Sequence, residues 1–405
     1  MNKRVASQTR VGSSQQSIKA QNTALIFNLI RKNTPTSRAK LAKQTGFSPS
    51  TVSNLVDELI DRKWVLEIGT GNSINSGRKP IMLEVNSGGA YFVIIEIISG
   101  GCISSIYDVC LNKVGSTYIE NSEDVGEKLK LLIKSKRFSL YRLNSIHVIF
   151  PGLFDPETGF LQFSSVIPEG MLMERDIVAK LKSRFPGVSV KISNDASVLA
   201  FMEYISGEYA LGTRLLAVNI NEGISAGLVY GDSRNETSTC FPLELGHMMI
   251  NPFGDICKCL NKGCLETECS IIALFKKANI VAGLNLDFTE TISPEINNSA
   301  MREVARHFIE GSPRVVKIVS EYTFALCRAL VNVINMFSVQ SIHIGGAILE
   351  LGDGFMNLIQ TMLSSEFHIF CTSGVLVEAS TWDADAIRRA AAQMSMEDTF
   401  EHMPI

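Results

Sequence analysis

A dense cluster of potential metal ligands lies in the middle of the chain. Its members are Cys257, Cys259, Cys264 and, ten residues before the first of them, His247. Three thiolates and one imidazole are the ligand set of a closed, four-coordinate structural zinc site. The alternative is a loop that holds unrelated buried cysteines, but the density of the cluster favours a metal. A metal-held loop would fix Glu244 and Glu266 in place, and two fixed carboxylates suit a small polyhydroxy ligand.

The overall composition is that of an ordinary soluble protein. A chain of 405 residues is long enough for two or three domains with sizeable cores. Its nine cysteines are odd in number and scattered outside the cluster, unlike a secreted disulfide framework. The polar, basic N-terminus lacks the apolar segment of a signal peptide, and no apolar run is long enough to cross a bilayer. We therefore expect a cytoplasmic protein without membrane insertion.

Charge is distributed very unevenly along the chain. Residues 1–85 contain 13 Lys and Arg but only 5 Asp and Glu, a net charge of +8. The remainder has a net charge of −11, and the first fifty residues contain no acidic residue. A basic module on an acidic body predicts a polyanionic partner for that module alone.

The basic module has the pattern of a winged helix-turn-helix. Apolar residues at helical spacing predict a first helix over 23–30. Ser37 can cap a second helix, Arg38–Thr45, and Ser48 can cap a third that runs from Ser50 to about Asp61. In a helix-turn-helix, the start of the second helix of the motif enters the major groove of DNA. The small polar residues at the start of the third helix are therefore candidates for base or phosphate contacts.

A hairpin follows the third helix and completes the predicted DNA-binding module. Strands over 64–68 and 81–85 flank a Gly, Asn and Ser-rich loop whose basic tip can neutralise phosphates or enter the minor groove. The alternative is a three-helix protein-interaction module with solvated charges, but the charge segregation, caps and wing together favour double-stranded DNA. The candidate DNA-binding residues are Arg38, Ser48, Ser50, Thr51, Ser53, Asn54, Arg78 and Lys79.

The body is predicted to consist of two α/β lobes of similar plan. A strand pair joined by a Gly-containing turn occurs at 91–98 with 102–109, and again at 215–220 with 226–230, which suggests duplication. The predicted domains are a disordered N-terminal arm (1–20), the winged helix-turn-helix (21–85), a first α/β lobe (86–190), a second α/β lobe (191–380) with a zinc loop (244–269) and oligomerisation helices, and a C-terminal helix and tail that packs on the first lobe (381–405).

These features together resemble the ROK family (repressors, open reading frames and sugar kinases), on its repressor branch. The resemblance covers essentially the whole chain. It rests on the winged helix-turn-helix, Pro151-Gly152, Asn194-Asp195, Glu244-Leu245-Gly246-His247, the cysteine cluster with Glu266, and Gly345-Gly346. It implies a two-lobed, actin/ribonuclease-H-like body of the sugar-kinase type that binds a sugar in its cleft. It also implies a homodimeric or homotetrameric repressor of carbohydrate genes.

The resemblance also implies a set of sugar contacts. In family kinases an Asn-Asp pair supplies a sugar contact and the catalytic base, although here the same pair could also cap the helix that follows. The sugar-binding residues implied in this way are Gly152, Asn194, Asp195, Glu244, His247 and Glu266. One departure is Leu260, where the family usually has Gly; the cysteine spacing is kept, but the loop backbone could differ from the family pattern.

The phosphate-binding turns of the family kinases are not matched. Those kinases carry Asp-x-Gly-x-Thr on the first strand turn, whereas Ile98 stands at the position of the Gly here. The second, Gly-rich loop is replaced by Asn219 to Ile224, with Glu222 where a phosphate would approach. We therefore expect a non-enzymatic repressor controlled by a sugar or a sugar phosphate. The alternatives are an ATP-dependent sugar kinase with a fused DNA-binding domain, and a repressor sequestered by a protein partner such as a sugar transporter component.

Overall fold

The computed structural model contains an N-terminal domain followed by two α/β lobes of one topology. It describes residues 9–70, 79–98, 100–136, 139–164, 167, 175–207, 209, 212–231, 238–289, 294–367, 374–380, 382 and 385–401. Within these residues, no helix combines the length and the apolar character that crossing a membrane requires.

The N-terminal domain comprises three helices and a small antiparallel sheet of order β1-β3-β2. Its elements are α1 (Thr9–Lys32), β1 (Thr36–Ser37), α2 (Arg38–Thr45), α3 (Pro49–Asp61), β2 (Val65–Thr70) and β3 (Ile81–Val85). The predicted caps are present, because the Ser37 hydroxyl accepts a hydrogen bond from the amide of Lys40 and the Ser48 hydroxyl accepts one from Thr51. Gly46 ends α2 in the left-handed conformation (φ 72°). The bounds of α2 and α3 therefore agree with the sequence prediction.

The structure differs from the predicted disordered arm in the residues that it describes, since α1 begins at Thr9. Ala20 is only 4 % exposed, and Lys19 pairs with Glu58 of α3 at 3.0 Å. These contacts anchor the helix, and extending an existing helix adds one hydrogen bond per residue without a new nucleation cost. The polar, Ser and Gln-rich sequence therefore does not prevent helix formation here.

The first lobe is built on a five-stranded sheet of order β10-β7-β4-β5-β6. Its elements are β4 (Tyr91–Ile98), β5 (Gly101–Asp108), β6 (Lys113–Glu120), α4 (Val125–Ser135), β7 (Leu143–Phe150), β8 (Leu153–Phe154), β9 (Leu161–Phe163), α5 (Ile177–Arg184) and β10 (Ser189–Asn194). Strands β4, β5 and β6 are antiparallel neighbours, and β7 and β10 add to the β4 edge in parallel. The predicted lobe boundary at residue 190 falls inside β10, so the first lobe extends to Asn194.

The second lobe repeats this topology in a sheet of order β13-β12-β11-β14-β15. Its elements are α6 (Asp195–Ser206), β11 (Arg214–Ile220), β12 (Ile224–Gly231), β13 (Ser238–Leu243), α7 (Leu265–Cys269), α8 (Ile271–Lys277), α9 (Pro294–Ile309), α10 (Pro313–Phe337), β14 (Ser341–Gly345), α11 (Asp353–Ser365) and β15 (Leu376–Ala379). Here too an antiparallel meander is extended by two parallel strands. The duplication suggested by one strand pair therefore extends to all five strands.

A last helix, α12 (Ala386–Glu401), connects the three parts of the molecule. It packs on β4 and β7 of the first sheet, against α6, and against α1 of the N-terminal domain. The ring of Phe400 lies 5.7 Å from that of Phe27 and 5.3 Å from that of Trp64. The C-terminal end of the chain thus contributes to the core that seats the N-terminal domain on the body.

Candidate ligand cleft and metal cluster

A cavity of about 450 Å³ lies between the two lobes. Its walls are the chain beyond the carboxyl ends of β7, β10 and β11, together with the segment that follows β13. Ligands of open α/β sheets commonly bind in a crevice at the carboxyl ends of the strands. Five of the six residues that the sequence implied as sugar contacts line this cavity, namely Gly152, Asn194, Asp195, Glu244 and His247.

Asn194 and Gly152 shape the first-lobe wall of the cavity. The Asn194 side chain accepts a hydrogen bond from the amide of Ala196 at 2.9 Å, so it caps α6. It also donates to the carbonyl oxygen of Gly152 at 2.9 Å. A Cβ atom on Gly152 would lie 2.2 Å from the carbonyl oxygen of Phe163, so only glycine fits there. Asn194 therefore combines the capping and cavity-lining roles that the sequence left as alternatives.

Asp195 is the most perturbed carboxyl group of the cavity. Burial raises the pKa of Asp195 to about 7. The hydrogen bond from the Ala196 amide lowers this pKa, whereas the negative charges of Glu96 and Glu244 raise it further. A carboxyl group with this pKa can accept or donate a hydrogen bond to a hydroxyl group near neutral pH.

Glu266 does not line the cavity, unlike the other implied sugar contacts. It is buried, and its Oε2 accepts a hydrogen bond from the amide of Ile224 at 3.1 Å. Burial raises the pKa of Glu266 above its ordinary value. This carboxylate instead supports the β11–β12 turn through the Ile224 amide, and its sugar contact stays a prediction.

The turn after β11 supplies cavity residues that the sequence analysis did not assign to the ligand. Asn219, Asn221 and Glu222 line the cavity, as does Asn298 from α9. The Asn297 amide, which is fully buried, donates to Oε1 of Glu222 at 2.8 Å. The run Asn219 to Glu222 was visible in the sequence as a substituted phosphate loop, but nothing in the sequence placed α9 beside it.

The predicted metal ligands converge on one point beside the cavity. The donor atoms of His247, Cys257, Cys259 and Cys264 all lie within 4.8 Å of one another, so this group could hold a metal ion. Sγ of Cys257 lies 3.5 Å from Nδ1 of His247, and Sγ of Cys259 lies 3.6 Å from Sγ of Cys264. An imidazole bound to a metal through Nδ1 carries its proton on Nε2. His247 could then act as a hydrogen-bond donor toward the cavity that it lines.

The backbone of the metal loop is tightly folded around two left-handed residues. A Cβ atom on Gly263 (φ 71°) would lie 1.5 Å from the carbonyl oxygen of Asn251, so glycine is required there. Leu260, the residue that departs from the family pattern, also has a positive φ of 71°. An L-residue in this conformation costs about 1–2 kcal/mol relative to glycine. The cysteine spacing is thus combined with a left-handed backbone at Leu260, which strains that residue.

Apart from Arg38, the candidate DNA-binding residues lie on α3, at its N-cap and on the wing. Ser50 and Asn54 are exposed on α3, next to the half-buried Thr51 and Ser53. The Ser48 hydroxyl is used as the helix cap and contacts the hydroxyls of Ser50 and Thr51 at 2.8 Å. Lys79 is exposed, and Arg78 lies outside the described residues.

The assignment of Arg38 as a DNA contact is not supported by its contacts. Its guanidinium bonds to Asp57 of α3 at 2.7 Å and to Glu67 of β2 at 2.5 Å. Both carboxylates compete directly with a phosphate for this guanidinium. Arg38 therefore ties α2 to α3 and β2, and the sequence could not reveal these two partners.

The body and cavity together define a protein of the sugar-kinase-like α/β class with an additional N-terminal domain. The profile of the ROK family matches residues 111–396. The chain belongs to the ROK family.

Its relatives include both repressors and kinases. The chain is 26 % identical to the xylose repressor of Caldicellulosiruptor bescii over 404 residues, covering 94 % of this chain and 96 % of the relative. It is 22 % identical to the DNA-binding transcriptional repressor Mlc of Escherichia coli, with 93 % of each covered. A ROK family transcriptional regulator described as a homologue of Mlc superposes with a TM-score of 0.71 over 95 % of this chain and 98 % of that one. A ROK glucokinase from Streptomyces griseus superposes with a TM-score of 0.56, at 17 % identity, over 76 % of this chain and all of that one.

Replacing one cysteine of the cluster should abolish metal binding. Cys259→Ser removes one of four donors, so we expect bound metal to fall from about one ion per chain to near zero. Metal content after gel filtration measures this by mass spectrometry. Cys110→Ser, which replaces a half-buried cysteine outside the cluster, is the matched control. Full metal content in the Cys259 variant would exclude this cysteine as a ligand.

The raised pKa of Asp195 predicts a pH-dependent stability. Between pH 4 and about 7 the native state keeps a proton that the unfolded chain loses, so this group's contribution to stability falls as the pH rises through that window and is constant above it. Asp195→Asn has no proton to lose. Its free energy of unfolding, relative to the parent, should therefore increase by about 2 kcal/mol between pH 5 and 8, after allowing for solvent in the cavity.

Urea denaturation of both proteins at several pH values measures this difference. Asp61→Asn, an exposed aspartate on α3, is the control and should shift the curve equally at all pH values. Parallel curves for the parent and the Asp195 variant would show that Asp195 ionises normally.

Proposed function

We propose that this protein is a DNA-binding transcriptional repressor of carbohydrate uptake or metabolism genes, with operator affinity controlled by a sugar-type effector in the interlobe cleft. The observation that carries the proposal is that five implied sugar contacts line one cavity in a chain that also has a basic, winged helix-turn-helix-like domain. Relatives named as xylose repressor and as the repressor Mlc match over nearly the whole chain, including that domain.

Zinc is the ion that best suits the metal cluster. A tetrahedral zinc ion with Zn–S bonds of about 2.3 Å separates two sulfur ligands by about 3.8 Å. The separation of 3.6 Å between the Cys259 and Cys264 sulfurs is close to this value, and three thiols with one imidazole are a typical structural zinc set. Zinc would hold the loop that carries Glu244 and His247 at the mouth of the cleft.

The turns of the cleft favour a binding function over phosphoryl transfer. Phosphate-binding loops require free backbone amides. Here the amide of Asn221 donates to the carbonyl oxygen of Gly223 at 2.9 Å, and the amide of Ala347 donates to the side chain of Asn221 at 2.7 Å. Amides that are already bonded within the protein offer little to a nucleotide phosphate. These contacts support a non-enzymatic role for the cleft.

A continuous path of contacts connects the cleft with the N-terminal domain. Asp195 is the first residue of α6, and α6 packs against α12. Arg388 of α12 is also ion-paired with Glu96, whose charge helps to raise the pKa of Asp195. At the other end of the same helix, Phe400 packs on Phe27 and Trp64. An effector that binds Asp195 therefore acts on a helix that contacts α12, and α12 in turn contacts α1 of the N-terminal domain. Coupling of this kind is reciprocal, so operator binding should weaken effector binding by the same factor.

Control by a protein partner is a second candidate, favoured by an apolar surface on the metal loop. Phe253, Ile256 and Leu260 are 89 %, 74 % and 87 % exposed, respectively. Clustered exposed apolar side chains are typical of protein-interaction sites. A homodimer or homotetramer, or a transporter component that sequesters the repressor, could use this surface or the exposed Met336 of α10.

The function is tested by operator release. Fluorescence anisotropy of the full-length protein with DNA from upstream of its own gene should show binding, and one sugar should reverse it. Binding that no compound reverses would favour the protein partner. Failure to bind any upstream fragment, together with ADP release in the presence of sugars, would overturn the repressor proposal in favour of the kinase.

Removing the basic tip of the wing should weaken DNA binding in a salt-dependent way. For Arg78→Ala with Lys79→Ala, the slope of log affinity against log salt concentration should decrease by about two, because each phosphate that the protein neutralises contributes roughly 0.9 to that slope. The control is Lys134→Ala with Lys136→Ala, which removes two exposed charges from the first lobe. Equal slopes for the two double variants would exclude the wing from the DNA interface.

A further inference from the structure

The charges around the cleft are almost all of one sign. Among the described residues that line it, Asp195, Glu222 and Glu244 carry carboxyl groups, four asparagines carry amides, and there is no Lys or Arg. A ligand in this cleft therefore meets carboxylates, amides and the His247 imidazole, with no lysine or arginine among the described lining residues.

Asn297 holds Glu222 in place through a side-chain amide whose nitrogen and oxygen are both hydrogen-bonded. The amide nitrogen of Asn297 donates to Glu222 at 2.8 Å and to the carbonyl oxygen of Thr289 at 3.1 Å, while its oxygen accepts from the Thr289 amide at 3.1 Å. These three bonds fix the orientation of the Asn297 amide. Because Asn297 is fully buried, Glu222 is presented to the cavity by a rigid support rather than by a mobile surface side chain.

Two backbone amides of the cleft that could attract an anion are already hydrogen-bonded within the protein. Helix α6 points its N-terminus toward the cavity, and such termini favour negative charge. However, the Asn194 side chain caps the Ala196 amide, and Asp195 itself occupies the first turn. The Ala347 amide is likewise bonded to Asn221. These amides therefore do not offset the carboxylates, and no lysine or arginine among the described lining residues does so.

We propose that the cleft selects an uncharged sugar and excludes phosphate esters of sugars, with Glu222 as the discriminating residue. This inference rests on the proposed function and narrows its effector class. An uncharged sugar can donate hydroxyl hydrogen bonds to the carboxylates and accept them from the asparagine amides. A phosphate ester would place a second anion near fixed carboxylates in a partly desolvated cleft, and such like-charge contacts are a common means of rejecting a wrong ligand.

The test compares matched pairs of ligands on the intact protein. Glucose and N-acetylglucosamine are each compared with their 6-phosphates, and xylose is added as an uncharged pentose, by calorimetry and by operator release. We expect at least one uncharged sugar to bind. Its 6-phosphate should bind about 100-fold more weakly or not at all. If xylose is the sugar that binds, the same difference is expected against both hexose 6-phosphates. A phosphate ester that binds as tightly as its parent sugar, or binding by phosphate esters only, would overturn the proposal.

Variants separate the role of Glu222 from the general acidity of the cleft. Glu222→Gln keeps an oxygen for Asn297 but removes the charge, so the preference for the uncharged sugar should shrink about tenfold. Glu366→Gln, an exposed residue at the end of α11, should leave the preference unchanged. An unchanged preference in the Glu222 variant, with its circular dichroism spectrum intact, would overturn the assignment of this residue.

Calorimetry keeps this inference separate from the proposed function. If the protein binds no operator DNA but still prefers the uncharged sugar, the repressor proposal fails and the ligand class stands. If operator DNA is bound and released only by a phosphate ester, the repressor proposal stands and the ligand class fails. Binding of none of the five compounds in calorimetry would overturn the ligand class.

Discussion

The arrangement of this molecule depends on the burial of α12 against the first sheet. His147 of β7 bonds to Ser395 of α12 at 2.9 Å and to Ser193 of β10 at 2.8 Å. Burial lowers the pKa of His147 to about 4, so this bridge remains neutral and intact at physiological pH. Arg388 adds an ion pair to Glu96, whose pKa is raised by burial even though the guanidinium opposes this effect. Removing one partner of such a buried pair typically costs about 3–5 kcal/mol.

Because α12 is fixed in this way, it provides a stable surface for the N-terminal domain. Residues near the two ends of the chain pack together there. Phe400, Phe27 and Trp64 form one aromatic group, and Trp64 also contacts Phe92 of the first sheet at a centroid distance of 6.1 Å. A rigid-body change between the lobes would move this group as a unit. The N-terminal domain would then move with α12, without any change in its own fold. Domain motions of this kind are a common way in which ligand binding alters a distant site.

The features that the sequence predicted are those determined by local chemistry. Ser37 and Ser48 cap helices through atoms three residues away, and the cysteine spacing brings three ligands together within one loop. The features that it missed depend on contacts between distant residues. Asn297 lies 75 residues from Glu222, and Arg388 lies 292 residues from Glu96. The same limit explains Arg38. Its positive charge suggested a DNA contact, but the folded chain brings Asp57 and Glu67 to its guanidinium as ion-pair partners.

The two lobes share a topology, yet their turns have diverged in a way that suits a sensor. The parallel ends of the first sheet keep Gly152, Asn194 and Asp195, the implied sugar contacts, in the cleft. On the second lobe, the turn after β11 presents Glu222 and internally bonded amides where a phosphate donor would need free ones. In the proposed repressor, which uses no phosphoryl donor, ligand binding leads to no reaction. Binding can then shift the equilibrium between two arrangements of the lobes. The size of this shift is set by the difference between the ligand's binding free energies for the two arrangements. The acidic and amide side chains of this turn, with its internally bonded amides, therefore favour the proposed switch over a catalyst.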